Sequence, residues 1–231
     1  MTAQGLYGRV LATLGPEIAS GEHASGTVLR IEALEERFGV SRTVIREAVR
    51  VLESMRLVVS RRRVGVTVRP KTEWNLYDPL VIRWRLAGPD RPNQLRSLTE
   101  LRLAVEPVAA AFAAQRATPD QCGELTGLAI QLAATARARD LEAFLGHDIA
   151  FHRLVLEASG NEMYARLADV VAEVLAGRTH HHLMPAEPAP TAVRLHAQVA
   201  EAVQCGDARR AEECMREIVT GAGAEMRALL E

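Results

Sequence analysis

Arginines recur at four-residue intervals (Arg42, Arg46, Arg50) in "SRTVIREAVRVLE". Fixed positive charge at helical spacing is chemistry for a polyanion. With Arg42 at 0° and about 100° per residue, Arg46 falls near about 40°, Arg50 near about 80° and Thr43 near about 100°. Ile45, Ala48, Leu52 and Met55 fall on the opposite side, at about 220–300°. One face therefore packs and the other presents three guanidiniums and a hydroxyl. Ser41 stands at the N-cap, which puts Arg42 and Thr43 in the first turn, where a recognition helix meets DNA. Arginine binds guanine O6 and N7 through two hydrogen bonds. Arg61, Arg62 and Arg63, in a basic turn further along, suit phosphate neutralisation. On an isolated helix such a face is ordinarily a solvated one, and what precedes and follows it must decide.

A second set of chemically able residues interrupts apolar stripes nearer the C-terminus. Asp148 and His152 lie on one helix face with Leu141, Phe144, Leu145 and Val155. Arg102 shares a face with Leu95, Leu98, Val105 and Phe112, and His196 shares one with Val193, Val199, Ala200 and Val203. Each alone reads more readily as a hydrogen-bonded core residue than as a ligand. Four of them on the inward faces of three helices must converge on something polar, because an uncompensated buried charge costs several kcal/mol, roughly. An Asp and a His at i, i+4 with a second His elsewhere suit Zn²⁺ or a similar divalent ion, Ni²⁺ or Mn²⁺. Arg178 and His182 continue a stripe begun by Tyr164, Leu167, Val171 and Val174, which turns both inward. In "RTHHHL" (178–183) consecutive histidines point around a helix, so a solvated helix end competes with a ligand role there. Arg102, Arg178, Asn161, Asp148, His152 and His196 form the candidate effector-binding set, and the last three the candidate metal set.

These residues need elements to hold them. Three helical segments, roughly 4–20, 31–38 and 42–55, precede "LVVSRRRVGVTV" (57–68), two β-branched runs around a basic turn with Gly65. Three helices followed by a hairpin describe a winged helix-turn-helix, and in that order the arginine face reads as DNA-binding. The pattern breaks at "RPKTEWNLYDPL" (69–80). Beyond it, breaks at "GPDRP", "ATPD", "ARARD", "SGN", "MPAEPAP" and "CGD" separate about six helices without strands. The expected fold is mainly α: a winged helix-turn-helix domain over 1–70, a linker and connecting helix over 71–90, and an all-α helical bundle over 91–231. Charge follows the same division. Residues 1–72 hold 12 Lys+Arg and 7 Asp+Glu, net +5, while 73–231 hold 16 and 22, net −6. Only the front half suits a polyanion.

The stretch "FGVSRTVIREAVRVLESMRLV" with "RRRVGVTV" resembles the DNA-binding domain of the GntR family of bacterial transcription regulators, over nearly all of residues 5–69. Position by position, the resemblance implies operator contacts at Ser41, Arg42, Thr43, Arg46 and Gly65. One departure is Arg30, where the family carries a proline. "ELRLAVEPVAAAFAAQRATPDQ", "DIAFHRLVLEASGN" and "LHAQVAEAVQCGDARRAEECM" resemble the helical ligand-sensing (FCD) domain of the FadR subfamily. The linker "EWNLYDPLVIRWRL" is similar to that of sugar-acid-responsive members. The resemblance implies a homodimeric, ligand-controlled repressor on a palindromic operator. It also implies a divalent metal held by an Asp and three histidines. Asp148, His152 and His196 match three of those positions, but the fourth is Ile218. A weak site, a site completed by water or a ligand oxygen, and a polar pocket without metal all remain open. The expected effector is a small hydroxylated carboxylate such as a sugar acid, with its acid group on Arg102; the alternative partner for Arg102 is Glu106, one turn along.

Other classes fit less well. The "HD" doublet at 147–148 invites comparison with metal phosphohydrolases, but the only histidine upstream is His23, in the other domain. Neither a nucleophile elbow nor a Walker loop is present, so the chain is expected not to be an enzyme. A pure protein-interaction module would not need the basic face. No run of 18 apolar residues, no basic leader followed by an apolar core and an odd count of three cysteines fit a cytoplasmic protein without a membrane partner.

Overall fold

A computed structural model of the chain describes residues 3–181, 183 and 188–228. The backbone divides into two compact units, Met1–Arg91 and Pro92–Glu231.

In the first unit, helix α1 (Ala3–Ser20) buries Val10, Leu14 and Ile18, one apolar contact per turn. Helix α2 (Ile31–Phe38) stops at Gly39, whose left-handed φ of 62° ends the helix at low steric cost. Helix α3 (Arg42–Ser54) buries Val44, Ile45, Ala48, Val49 and Leu52 on one side. The hairpin of β2 (Val58–Arg61) and β3 (Gly65–Val68) follows, paired from Val58↔Val68 to Arg61↔Gly65. A short strand, β1 (Val28–Leu29), adds to the other edge of β3, so the antiparallel order is β1-β3-β2. The sequence pattern predicts only the hairpin, because the two residues of β1 carry no alternation and are a strand only through pairing with Val66 and Thr67.

Residues 71–90 contain a 3-10 turn (Lys71–Glu73) and helix α4 (Pro79–Ala87), and they group with the first unit. Asp78 caps α4, its Oδ1 accepting from the Leu80 N–H at 2.9 Å, with Pro79 at the first helical position. Trp84 lies against α1 at Gly15, where a Cβ would stand 2.4 Å from the indole Cη2.

The second unit is helical throughout its described residues: α5 (Arg91–Arg116, starting one residue ahead of it), α6 (Pro119–Ala138), α7 (Leu141–Ala158), a single turn α8 (Glu162–Ala165), α9 (Ala168–His180), α10 (Pro190–Cys205) and α11 (Ala208–Ala228). About six helices were expected; α8 is the additional one. The starts are chemically marked: Thr118 and Gln121 form a reciprocal capping box before α6, and Asp140 caps α7. Phe151, Leu154, Val155, Leu195, Val199, Met215 and Val219 fill the core between α7, α10 and α11. No helix among the described residues is long and apolar enough to cross a membrane.

Candidate functional site

Two surfaces gather the residues singled out above, one in each unit. On the first, α3 turns Arg42, Thr43, Arg46 and Arg50 to solvent, because Val44, Ile45, Ala48 and Val49 are taken up by the core. A concave surface runs from this face to the hairpin, lined by Arg30, Arg42, Arg46, Arg50 and the tip Arg61–Gly65. Arg42 Nη1 lies 2.9 Å from Glu32 Oε1, and Arg50 Nη1 2.7 Å from Glu47 Oε1. Arg46, Arg61, Arg62 and Arg63 have no ion pair among the described residues. Ser41 occupies the N-cap position, yet its hydroxyl makes no capping bond and is exposed. Gly65 carries a backbone requirement: its φ is +124° and a Cβ there would stand 3.0 Å from Leu29 O and Val28 Cγ1. The close approach of β1 accounts for glycine at this position independently of any contact with DNA.

The second surface is internal. Helix α7 supplies Asp148 and His152 one turn apart, and α10 supplies His196; all three are buried. Asp148 Oδ1 lies 3.1 Å from His196 Nε2 and 3.5 Å from His152 Nε2, so two imidazole nitrogens and one carboxylate oxygen face one point. The far side of each ring is tethered. His152 Nδ1 is 2.6 Å from Glu106 Oε2 on α5, and His196 Nδ1 is 2.7 Å from the Ala192 carbonyl. Phe151 packs edge-on against His196 at 5.0 Å between ring centroids, closing the inner side.

Glu106 also accepts from Arg102, Nε to Oε1 at 2.5 Å and Nη2 to Oε2 at 3.2 Å, with both side chains buried. Arg102 thus has the alternative partner the sequence allowed, although its Nη1 has none among the described residues and the side chain lines the cavity. Charges in this cluster are strongly coupled. Burial favours a neutral Glu106, but Arg102 and His152 outweigh it and hold the acid at about 2. Burial opposes a charged Asp148 too, yet the adjoining His152 and His196 rings hold it well below the usual carboxylate range. For His152, burial opposes the charged ring, yet Glu106 and Asp148 raise its pKa to about 9.

Asp148 Oδ1, both ring nitrogens of His152 and His196 Nε2 are buried and none completes a hydrogen bond, so Glu106 meets His152 Nδ1 as an ion pair. Three inward-facing donor atoms within 4.8 Å of one another, with the His196 ring hydrogen-bonded from behind and the His152 ring backed by the Glu106 carboxylate, fit a divalent cation. Ile218, 6% exposed, stands on the cavity wall where the implied fourth ligand belongs, so the described set is three. The cavity beside them has a volume of about 90 Å³. Arg178 reaches its wall and pairs with Glu225 at 2.6 Å. Asn161 is not brought to it: its Oδ1 caps α8 by accepting from the Met163 N–H at 2.9 Å. The inward orientation expected for His182 lies outside the described residues. Glu106 is legible only as a neighbour of Arg102; its ion pair with His152 crosses between helices and leaves no mark in sequence spacing.

With this geometry in view, residues 6–68 match the family of bacterial regulatory proteins called gntR, and residues 97–221 match the FCD domain. The galactonate operon transcriptional repressor of Escherichia coli (strain K12) is 31% identical over 207 residues, covering 89% of this chain and 90% of that one. An uncharacterised regulator of the helix-turn-helix type from the same organism, YieP, is 30% identical over 207 residues, 88% of each chain. Among solved structures, E. coli McbR/YncC superposes with a TM-score of 0.58 at 20% identity, covering 98% of this chain and 99% of the other, a likeness of fold.

Proposed function

The chain belongs to the GntR family of bacterial transcription regulators and carries an FCD domain, and from that premise we propose that it binds a palindromic DNA operator as a homodimer, under the control of a small carboxylate held in the buried cavity. The observation that carries the DNA half is the exposed guanidinium face of α3 beside a hairpin tip whose three arginines have no acidic partner among the described residues. Arg42 and Arg46 read guanine edges, Thr43 and Ser41 offer hydroxyls to bases or phosphates, and Arg61, Arg62 and Arg63 neutralise phosphates. A gel shift with the protein's own promoter region tests it: retardation that survives excess random-sequence duplex is the expected result, and no retardation at any salt rejects the reading.

The control half rests on the cluster of Asp148, His152 and His196. A divalent ion such as Zn²⁺, Ni²⁺ or Mn²⁺ would be held by these three residues and would supply a Lewis-acid charge there. Ile218 offers no donor, so a ligand oxygen would add to the three protein donors. Arg102 Nη1 stands ready to donate to the same acid group. A sugar acid is the class indicated by similarity to a galactonate operon repressor. A cavity of about 90 Å³ is small against the several hundred Å³ usual for ligand pockets, so a six-carbon acid has to part α9, α10 and α11 to enter. That parting is the conformational signal. Calorimetry with a panel of glycolate, lactate, gluconate and galactonate beside neutral parent sugars, with and without Zn²⁺, tests it. Acids should bind and sugars should not. Sugars binding equally well, or acids binding Arg102→Ala undiminished, reject the carboxylate assignment.

A further inference from the structure

Two acids share the arginine-rich concave surface of the first unit, Glu32 and Glu53. Glu53 has a structural task, its Oε1 accepting the Ser60 N–H at 2.6 Å and so tying α3 to β2. Glu32 holds no backbone group of another element among the described residues; its carboxylate takes a hydrogen bond from its own backbone N–H at the start of α2. It sits in the first turn of α2, its side chain 67% exposed, and the side chain it meets is Arg42, at 2.9 Å. A solvent-exposed pair adds little to folding stability, and a carboxylate on a surface built for a polyanion is electrostatically misplaced. Its consequence is therefore for binding.

We infer that Glu32 is a specificity-determining residue that works through Arg42, so that the pair selects a G·C base pair and rejects DNA offering only phosphates. In the free protein the carboxylate holds Arg42 at the point where the helix meets the groove. A duplex docked without sequence match brings phosphates towards Glu32, and Arg42 gains a phosphate only by leaving the carboxylate uncompensated. A G·C pair in the major groove answers both groups: guanine O6 and N7 accept from the guanidinium, and the cytosine N4 amino group donates to the carboxylate. Arg50 differs, since its partner Glu47 lies on its own helix and does not line the concave surface. An acid in the first turn of α2 also suits the helix dipole, but that role is indifferent to the identity of residue 42.

The inference rests on the DNA-binding reading, and its test separates the two. The full chain, Glu32→Gln, Arg42→Ala and the double variant are titrated with a random-sequence duplex across a salt series, and each is used to select from a randomised duplex library. Glu32→Gln should bind the random duplex about 5-fold more tightly near physiological salt, with a salt slope steeper by about one counterion. The gain should vanish in the Arg42→Ala background, and the library selected by Glu32→Gln should lose a G·C requirement at one position of each half-site. Unchanged melting temperatures establish that the variants fold. If the parent binds duplex and Glu32→Gln binds it no more tightly, or gains as much without Arg42, the inference is overturned while the DNA reading stands. If the parent retains no duplex at all, both fall.

Discussion

His152 stands between two carboxylates, Glu106 on its Nδ1 side and Asp148 on its Nε2 side, and this double attachment makes the cluster responsive to pH. In the metal-free protein the ring titrates at about 9, above its ordinary value of 6.5. A raised folded-state pKa means that the protonated ring stabilises the fold fully below about 6.5, and that this stability is lost as pH rises through about 9. A metal needs the Nε2 lone pair, so it displaces that proton, and metal affinity should rise by up to about tenfold per pH unit until about pH 9. Thermal melts of chelator-treated protein should therefore show a falling melting temperature from pH 6.5 to 9, and a flatter profile with saturating Zn²⁺. A flat profile without metal would show that the ring is neutral throughout. On the other surface, Arg46 has no acidic partner among the described residues, so Arg46→Ala should cost about 1–3 kcal/mol on the operator, read by gel shift or anisotropy. Arg62→Ala should instead lower the salt slope by about one and leave sequence preference intact.

Elements hold these side chains where small residues and caps permit close approach. Gly15 lets the Trp84 indole lie directly on α1, and an added methyl would meet a rigid aromatic ring at 2.4 Å rather than a flexible chain end. Gly15→Ala should therefore destabilise the first unit by about 1–3 kcal/mol through overpacking, measured in a urea melt followed by tryptophan fluorescence. Gly8→Ala, where nothing stands within 4 Å, is the matched control and should not destabilise. Most element boundaries were legible because they are set locally. Asp78 before Pro79, Thr118 with Gln121, and Asp140 each satisfy helix N–H groups within three residues of themselves. Strand β1 was not legible, and the Ser41 hydroxyl, read as a cap, turns to solvent instead.

At the scale of the molecule, charge and chemistry are partitioned: a basic unit whose α3 and hairpin-tip arginines face outward, and a helical unit that buries His152 and His196 beside Asp148. An operator with two half-sites requires two copies of the first unit, so sedimentation should give twice the mass of the 25.2 kDa chain. A monomer that remains one on operator DNA would contradict the palindrome. By itself the sequence determined the order of elements, the outward face of α3 and the inward stripes bearing Arg102, Asp148, His152 and His196, because amphipathic period and capping act over a few neighbouring residues. It also registered Ile218 as a departure. Only the tertiary structure decided which stripes meet. The approach of His196 to Asp148, the seat of His152 between Asp148 and Glu106 and the hold of Glu32 on Arg42 join residues whose separation follows from helix packing rather than from spacing along the chain. Packing is settled by the mutual fit of many apolar side chains at once, and no short stretch of sequence contains that information.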